Sequence, residues 1–241
     1  ALSKGRGKAA TKVIWSILVL LAIDTSTAWI SLALYDGNFI HYEITWQAQH
    51  HHTVELAPAI GELFKRTGTK SNDLTGLAVA IGPGSFTSLR IGLAAAKGFS
   101  LGLNIPVVGV SSLDIVAAAQ PLDEKPMVVV LHAGRSRLAY ATYKVTNGAW
   151  HAVSDPSVID PKDLVKSIKE PTIICGELSG IERAIVGRRW KNAVISSPAN
   201  CLRRAGFLAE LGWEKLMNGQ ADDPVNLGPI YLSTADNPIP A

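Results

Sequence analysis

The sequence predicts an α/β fold of two lobes, each a mixed sheet with helices on its faces. Three observations carry that prediction. The first half opens on a continuous apolar run and two alternating segments joined by an Asp36-Gly37 turn, which is a strand meander. It then runs helix, strand, helix, strand, helix, which adds crossover strands to the meander. The second half partly repeats this order from Met127 onward. With 47% hydrophobic and 18% charged residues, the composition forms a core and excludes disorder. At ~100–200 residues per domain, 241 residues make one large domain or two small lobes.

Each element has its own signal. Ile17–Ile23 is apolar throughout, as a strand buried on both faces must be. Trp29–Tyr35 and Phe39–Ile44 alternate as the next two strands. A helix is expected over about Thr53–Arg66, with Leu56, Ile60, Leu63 and Phe64 on one face and Pro58 tolerable only near its start. Gly76–Ile81 is the fourth strand. The loop Gly82-Pro83-Gly84-Ser85-Phe86-Thr87 opens a helix to about Leu101, Pro106–Val110 is the fifth strand, and Ser111 caps a further helix. This is not a doubly wound order but that of a ribonuclease-H-like half. In the second half, Met127–His132, Arg137–Val145 and Trp150–Val153 read as strands with an Asn147-Gly148 turn. Asp160-Pro161 caps a helix over Lys162–Lys169, Thr172–Cys175 and Ala193–Ile195 are short strands, and a long helix runs from about Cys201 to Met217. The expected division is a basic tail over 1–16, a first lobe over 17–110, a second over 111–221 and an irregular tail over 222–241.

Charge narrows the function classes. The net charge is +3, but Lys4, Arg6, Lys8 and Lys12 all precede the first acidic residue, Asp24. Without them the body carries 19 basic against 20 acidic side chains, which argues against a globally basic nucleic-acid binder. The basic start followed by Val13–Ile23 has the shape of a signal peptide, but the run lacks a small-x-small cleavage site and is too short to span a bilayer. A buried first strand behind a basic tail is the favoured alternative. As the chain does not open on methionine, residues 1–12 are expected to be upstream or appended sequence. Cys175 and Cys201 form no C-x-x-C pair, which argues against zinc or a disulfide framework and fits a cytoplasmic location.

Several motifs could carry chemistry. Asp24-Thr25-Ser26-Thr27 sits at a strand end, where a carboxylate and three hydroxyls could hold magnesium through waters or, more simply, cap their own turn. The loop with Gly82, Gly84 and Ser85 leads into a helix N-terminus, which suits either a phosphate or a tight structural turn. It is neither a Walker A loop nor G-x-G-x-x-G. The helix behind it is rich in small residues from Gly92 to Gly102, so a second helix should approach closely, from this chain or from another. His50-His51-His52 cannot share one metal, since successive helix residues point about 100° apart, and reads as a solvated helix start. Ser26 and Ser85 have no triad arrangement. Arg183, Arg188, Arg189, Lys191, Arg203 and Arg204 form a basic cluster whose default reading is a solvated surface, with tRNA contact as the alternative.

Four stretches carry a family resemblance: LAIDTST at 21–27, HTVELAPAI at 52–60, GPGSFTSLRIGLAAAKGFSLGLNIPVVGVSSL at 82–113, and HAGRSRLAYATY at 132–143. The sequence resembles the TsaB (YeaZ) family from about Leu21 to Glu177, with an echo at Pro229–Leu232. The resemblance implies the two-lobed ASKHA fold of actin, hexokinase and Hsp70. It further implies a non-catalytic subunit that pairs with the catalytic paralogue TsaD, joined by the ATPase TsaE, to modify the adenosine beside the tRNA anticodon. ATP and metal are then expected on the partners and no cofactor on this chain. Contact with tRNA comes only through the complex, no membrane is involved, and a homodimer of the isolated chain stays open. The association surface is expected on the helices at 53–66 and 85–101, through Leu56, Ile60, Leu63 and Phe64 and through Leu89, Gly92, Leu93, Ala95, Ala96 and Phe99. Asp24, Thr25, Ser26, Gly82, Gly84 and Ser85 would form any nucleotide loop. Where the paralogue has its H-x-x-x-H metal pair, this chain has Ser112 and Val116, and a valine ligates no metal. Ser88 and His132 depart from the family's usual Gly and Asp. The competing expectations are an ATP-dependent phosphotransferase using Asp24 and the glycine loop, and a glycoprotease-like metallopeptidase.

Overall fold

The computed structural model describes residues 19–48, 51–134, 137–188 and 191–232. The basic tail, His50, Arg189 and the end of the chain lie outside these residues. The first sheet contains β1 (Leu20–Asp24), β2 (Trp29–Tyr35), β3 (Ile40–Gln47), β4 (Gly76–Ala80) and β5 (Val107–Val110). Its order is β3-β2-β1-β4-β5, with the first three strands antiparallel and β1, β4 and β5 parallel. The second sheet contains β6 (Met127–His132), β7 (Leu138–Thr146), β8 (Ala149–Ala152), β10 (Thr172–Gly176) and β11 (Ala193–Ile195). Its order, β11-β10-β6-β7-β8, is the same pattern again, and β9 (Ser157–Ile159) pairs with the start of β7. Two ribonuclease-H-like lobes of identical strand order make this the ASKHA architecture that the sequence predicts.

Burial explains the unbroken apolar character of the central strands. Leu21 and Ile23 of β1 face the core under α1 (His52–Thr67) and α2 (Phe86–Leu103). Leu20 and Ala22 face the opposite core, under α6 (Ala205–Met217). A strand sandwiched between helix layers has no face left for polar side chains. Gly68, at φ 69°, closes α1 in the left-handed conformation that a Cβ disfavours. Pro58 lies inside α1, where the bond it removes is to the carbonyl of Val54, a residue 68% exposed to solvent.

Chain order and spatial order part company at α6. By sequence it belongs to the second lobe, yet it packs across β1, β2, β4 and β5 of the first. Gly212 lets it do so: a Cβ there would overlap the Cβ of Ala78. The expected helix from Cys201 also breaks in two. A short turn over Pro198–Cys201 precedes α6, and Arg203 stands in the gap. The chain then returns to the first lobe again, where Asp222 bridges to Val107 and accepts a hydrogen bond from Gly109 N at 2.7 Å. The boundary expected at residue 221 therefore does not match the packing. The first lobe is completed by helix α6 and by the segment after it.

Candidate functional site: the inter-lobe cleft and the outer helix face

A cleft of about 940 Å³ opens between the lobes, walled by Trp29, Phe86, His132, Glu177, Arg203 and Tyr231 among others. Its floor is the turn after β1. Asp24, Thr25 and Ser26 are all buried there, and each is already engaged. Asp24 Oδ1 accepts from Ser26 N at 2.8 Å, so the carboxylate caps its own turn. Its Oδ2 accepts from Arg203 Nε at 2.8 Å. Thr25 Oγ1 donates to Ser88 O at 2.7 Å, and the Ser26 and Ser112 hydroxyls share a hydrogen bond of 2.6 Å.

The glycine loop presses onto this turn. Ser85 N donates to Ser26 O at 2.7 Å, and a Cβ on Gly84 would overlap that same carbonyl. Gly82, at φ 101°, donates from its N–H to Ser112 Oγ at 3.2 Å and lies under Ile230 O. The loop's glycines thus serve close backbone packing. The segment after α6 covers it further: Ile230 N donates to Ile81 O at 2.7 Å, and Tyr231 stacks on Phe86 with ring centroids 5.0 Å apart. Arg90 joins that stack, donating to Tyr231 Oη at 2.9 Å with its guanidinium 3.6 Å from the Phe86 centroid.

Arg203 decides the electrostatics of the floor. The sequence places it in a solvated basic cluster, but it is only 2% exposed. Its Nη1 donates to Glu177 Oε1 at 2.6 Å and its Nη2 to Thr27 Oγ1 at 2.7 Å. Burial works against the charged guanidinium, but the Asp24 and Glu177 carboxylates more than offset that and raise its pKa. Its neighbours in the cluster scatter: Arg183 donates to Ser196 O, and Arg204 pairs with Glu43. Each Asp24 oxygen thus already accepts one hydrogen bond from within the chain, from Ser26 N and from Arg203 Nε.

Other expected residues also move. His52, read as part of a solvated helix start, is buried and donates through Nε2 to Thr27 O at 2.8 Å. Ser112 and Val116 are both buried on α3 (Ser112–Ala118), one turn apart. His132 meets Glu182 Oε2 through Nε2 at 3.0 Å. Ser88 Oγ donates to Ser85 Oγ at 3.0 Å at the start of α2. Among the described residues, no three His, Cys, Asp or Glu side chains are grouped to hold a metal, and no helix is long and apolar enough to cross a membrane.

The outer face of α1 and α2 requires the largest revision of the sequence reading. Leu56, Ile60, Leu63, Leu89, Leu93 and Ala96 are buried in this chain's own core, and Gly92 is packed against Thr25. These residues cannot also meet a partner. Phe64, Ala95 and Phe99 are half-buried, with Phe64 and Phe99 in an edge-on pair 6.3 Å apart. The periodicity had marked the inner stripe. The outer stripe is Val54, Ala57, Pro58 and Gly61 on α1, and Ala94, Gly98, Leu101 and Gly102 on α2, all exposed. Both follow the i, i+3/i+4, i+7 spacing of a single helix face. Among the described residues, nothing outside the local helix backbone lies within 4 Å of the Cβ position of Gly61, Gly98 or Gly102.

Comparison with known proteins decides the family. The model described as TsaD, tRNA N6-adenosine threonylcarbamoyltransferase, matches residues 46–205. The tRNA threonylcarbamoyladenosine biosynthesis protein TsaB of Escherichia coli (strain K12) is 31% identical over 177 residues, spanning 71% of this chain and 72% of that protein. The chain belongs to the TsaB family. The TsaB of Bacillus subtilis (strain 168) extends the match to 91% of this chain and 96% of its own length, at 29% identity. The solved YeaZ from Pseudomonas aeruginosa shares the fold, with a TM-score of 0.74 over 89% of this chain and all of the other, at 22% identity. Arg203 and Glu177 are the residues that sequence reasoning missed at the cleft of this TsaB family member. Arg203 lies 179 positions from Asp24, and no local pattern announces that pairing.

Proposed function

We propose that this chain is a non-catalytic subunit of tRNA threonylcarbamoyladenosine biosynthesis, a scaffold for the catalytic paralogue TsaD that is joined by the ATPase TsaE. Its family membership and the pathway in its relatives' names support that reading. The match to the TsaD model supports a paralogous partner of similar fold. The observation that carries the scaffold role is the outer face of α1 and α2. Val54 and Leu101 are 68% and 62% exposed beside the small residues Ala57, Pro58, Gly61, Ala94, Gly98 and Gly102, and the exposed charges of Glu62, Lys65 and Arg90 border that patch. A face of Gly, Ala and Pro flanked by two aliphatic side chains lets a partner helix approach closely and bury apolar area. In this reading ATP and the metal belong to the partner subunits, and tRNA is held by the assembled complex.

The test is reconstitution with the TsaD and TsaE of the same source, tRNA and threonylcarbamoyl-adenylate. The chain alone is expected to transfer nothing, the TsaD–TsaE mixture to work poorly, and addition of the chain to restore transfer. Robust ATP turnover or transfer by the isolated chain would refute the reading. Light scattering of the isolated chain shows whether two copies pair.

A further inference from the structure

The floor of the cleft is a seam between the lobes, with a carboxylate on each side. Asp24 ends β1 of the first sheet, and Glu177 follows β10 of the second. Two carboxylates turned toward one seam, Asp24 buried and Glu177 partly so, repel unless a cation stands between them. Here the cation comes from the segment that carries the chain from one lobe to the other. Arg203 reaches Asp24 Oδ2, Glu177 Oε1 and Thr27 Oγ1 with three different nitrogens at 2.6–2.8 Å. Thr27 Oγ1 in turn donates to Glu177 Oε1 at 2.6 Å, which joins the two sides directly. Each of the three nitrogens of one planar group meets its own acceptor, a pattern that suits the fixed fork of a guanidinium better than the single centre of an ammonium.

We propose that the inter-lobe seam is a guanidinium site which the chain fills with its own Arg203, and that the filled site holds the two lobes in one closed arrangement. The occupant is covalently attached, so the closed arrangement needs no small molecule and does not depend on nucleotide concentration. This goes beyond the scaffold role and does not rest on it, since it concerns the isolated chain.

The experiment is chemical rescue of Arg203→Ala in the full chain. Its Tm should fall by about 10 °C, because Asp24 and Glu177 lose their shared cation and keep only neutral donors such as Ser26 N and Thr27 Oγ1. Guanidinium chloride at low millimolar concentration should then raise the variant's Tm by several degrees, while lowering or leaving unchanged that of the natural chain. Potassium chloride and urea at the same concentration serve as controls and should not rescue. The rescue should vanish in Arg203→Ala/Asp24→Asn. Equal guanidinium effects on variant and natural chain would overturn the site, and so would magnesium chloride stabilising the variant better than guanidinium. If Arg203→Ala does not fold, Glu177→Gln keeps the guanidinium and weakens one side of the seam. Hydrogen exchange at Ser26, Thr27 and Ser85 should then accelerate about tenfold, with the β6–β10 amides unchanged. Unchanged exchange at the seam would overturn the locking role.

Discussion

Gly92 of α2 lies directly against Thr25. A Cβ on this glycine would overlap Thr25 Oγ1 and stand 3.3 Å from its Cγ2. Thr25 cannot swing aside freely, because it is β-branched and its hydroxyl is committed to Ser88 O at 2.7 Å. Replacing Gly92 by Ala gains about 1 kcal/mol of helix propensity, while an overlap with a side chain that cannot yield incurs the upper part of the overpacking range, about 2–3 kcal/mol. The cost wins, so Gly92→Ala should lose about 1–2 kcal/mol in urea unfolding. Gly92→Leu should not yield a folded chain, so it says nothing about partner binding. A Gly92→Ala variant as stable as the natural chain would show that the contact is looser than the backbones indicate.

Gly98, six residues further along α2 and on its outer side, makes the opposite prediction. Among the described residues nothing beyond the local helix backbone lies within 4 Å of its Cβ position, so Gly98→Ala should stabilise the isolated chain by ~0.5–1 kcal/mol. Gly98→Arg and Leu101→Asp should also leave the isolated chain folded, as both positions are exposed. Each should weaken association with TsaD at least about tenfold by placing a charge in an apolar contact. Size-exclusion light scattering of the mixture, with circular dichroism of the variant alone, separates folding from binding. Full association by both variants would move the partner surface elsewhere.

This pair of glycines shows where the sequence was informative. The strand order and lobe duplication were readable because burial on both faces leaves an unbroken apolar run, and Asp36-Gly37 and Asn147-Gly148 mark the turns. Helical periodicity found the apolar stripe of α1 and α2, but periodicity cannot tell a stripe that faces the chain's own sheet from one that faces a partner. Gly92 and Gly98 look alike in sequence and differ only in what stands opposite. Arg203 was misread for a related reason. A buried arginine is costly unless paired, and both of its carboxylates come from distant strand ends. Composition favours the surface reading until the topology closes the seam.

Glu182 carries an acid-side prediction. Burial pushes its carboxyl up, but hydrogen bonds from His132 and from Ser179 outweigh this and leave it below the ordinary range. A lowered folded pKa means stability that is present above the unfolded value of about 4.3 and is lost as pH falls through the folded one. Glu182→Gln should therefore lower Tm by about 2 °C at neutral pH, with the difference closing below about pH 4. Asp36, held down chiefly by the backbone N–H of Phe39, titrates in the same acidic window. The difference between natural chain and variant, rather than either curve alone, therefore isolates Glu182. A difference independent of pH would mean that Glu182 acts through the α5 (Gly180–Gly187) cap alone.

Tyr143 supplies the alkaline counterpart. It is 2% exposed, and its hydroxyl donates to Asp114 Oδ1 at 2.7 Å, tying β7 to α3. Burial pushes the phenol's pKa well up, and the Asp114 carboxylate pushes it further, since a phenolate there would face a like charge. The folded state therefore keeps a proton that the unfolded chain gives up above about pH 10. By linkage, stability is full below that pH and falls as pH rises past it. Tyr143→Phe removes this slope, and it also removes a hydrogen bond to a charged acceptor, at a cost of about 1.5–3 kcal/mol at neutral pH. The two unfolding curves should thus converge as pH climbs above about 10. Parallel curves would show that the phenol ionises in the folded chain as readily as in the unfolded one. The like-charge argument from Asp114 would then fail, leaving the neutral-pH cost as the measure of the hydrogen bond alone.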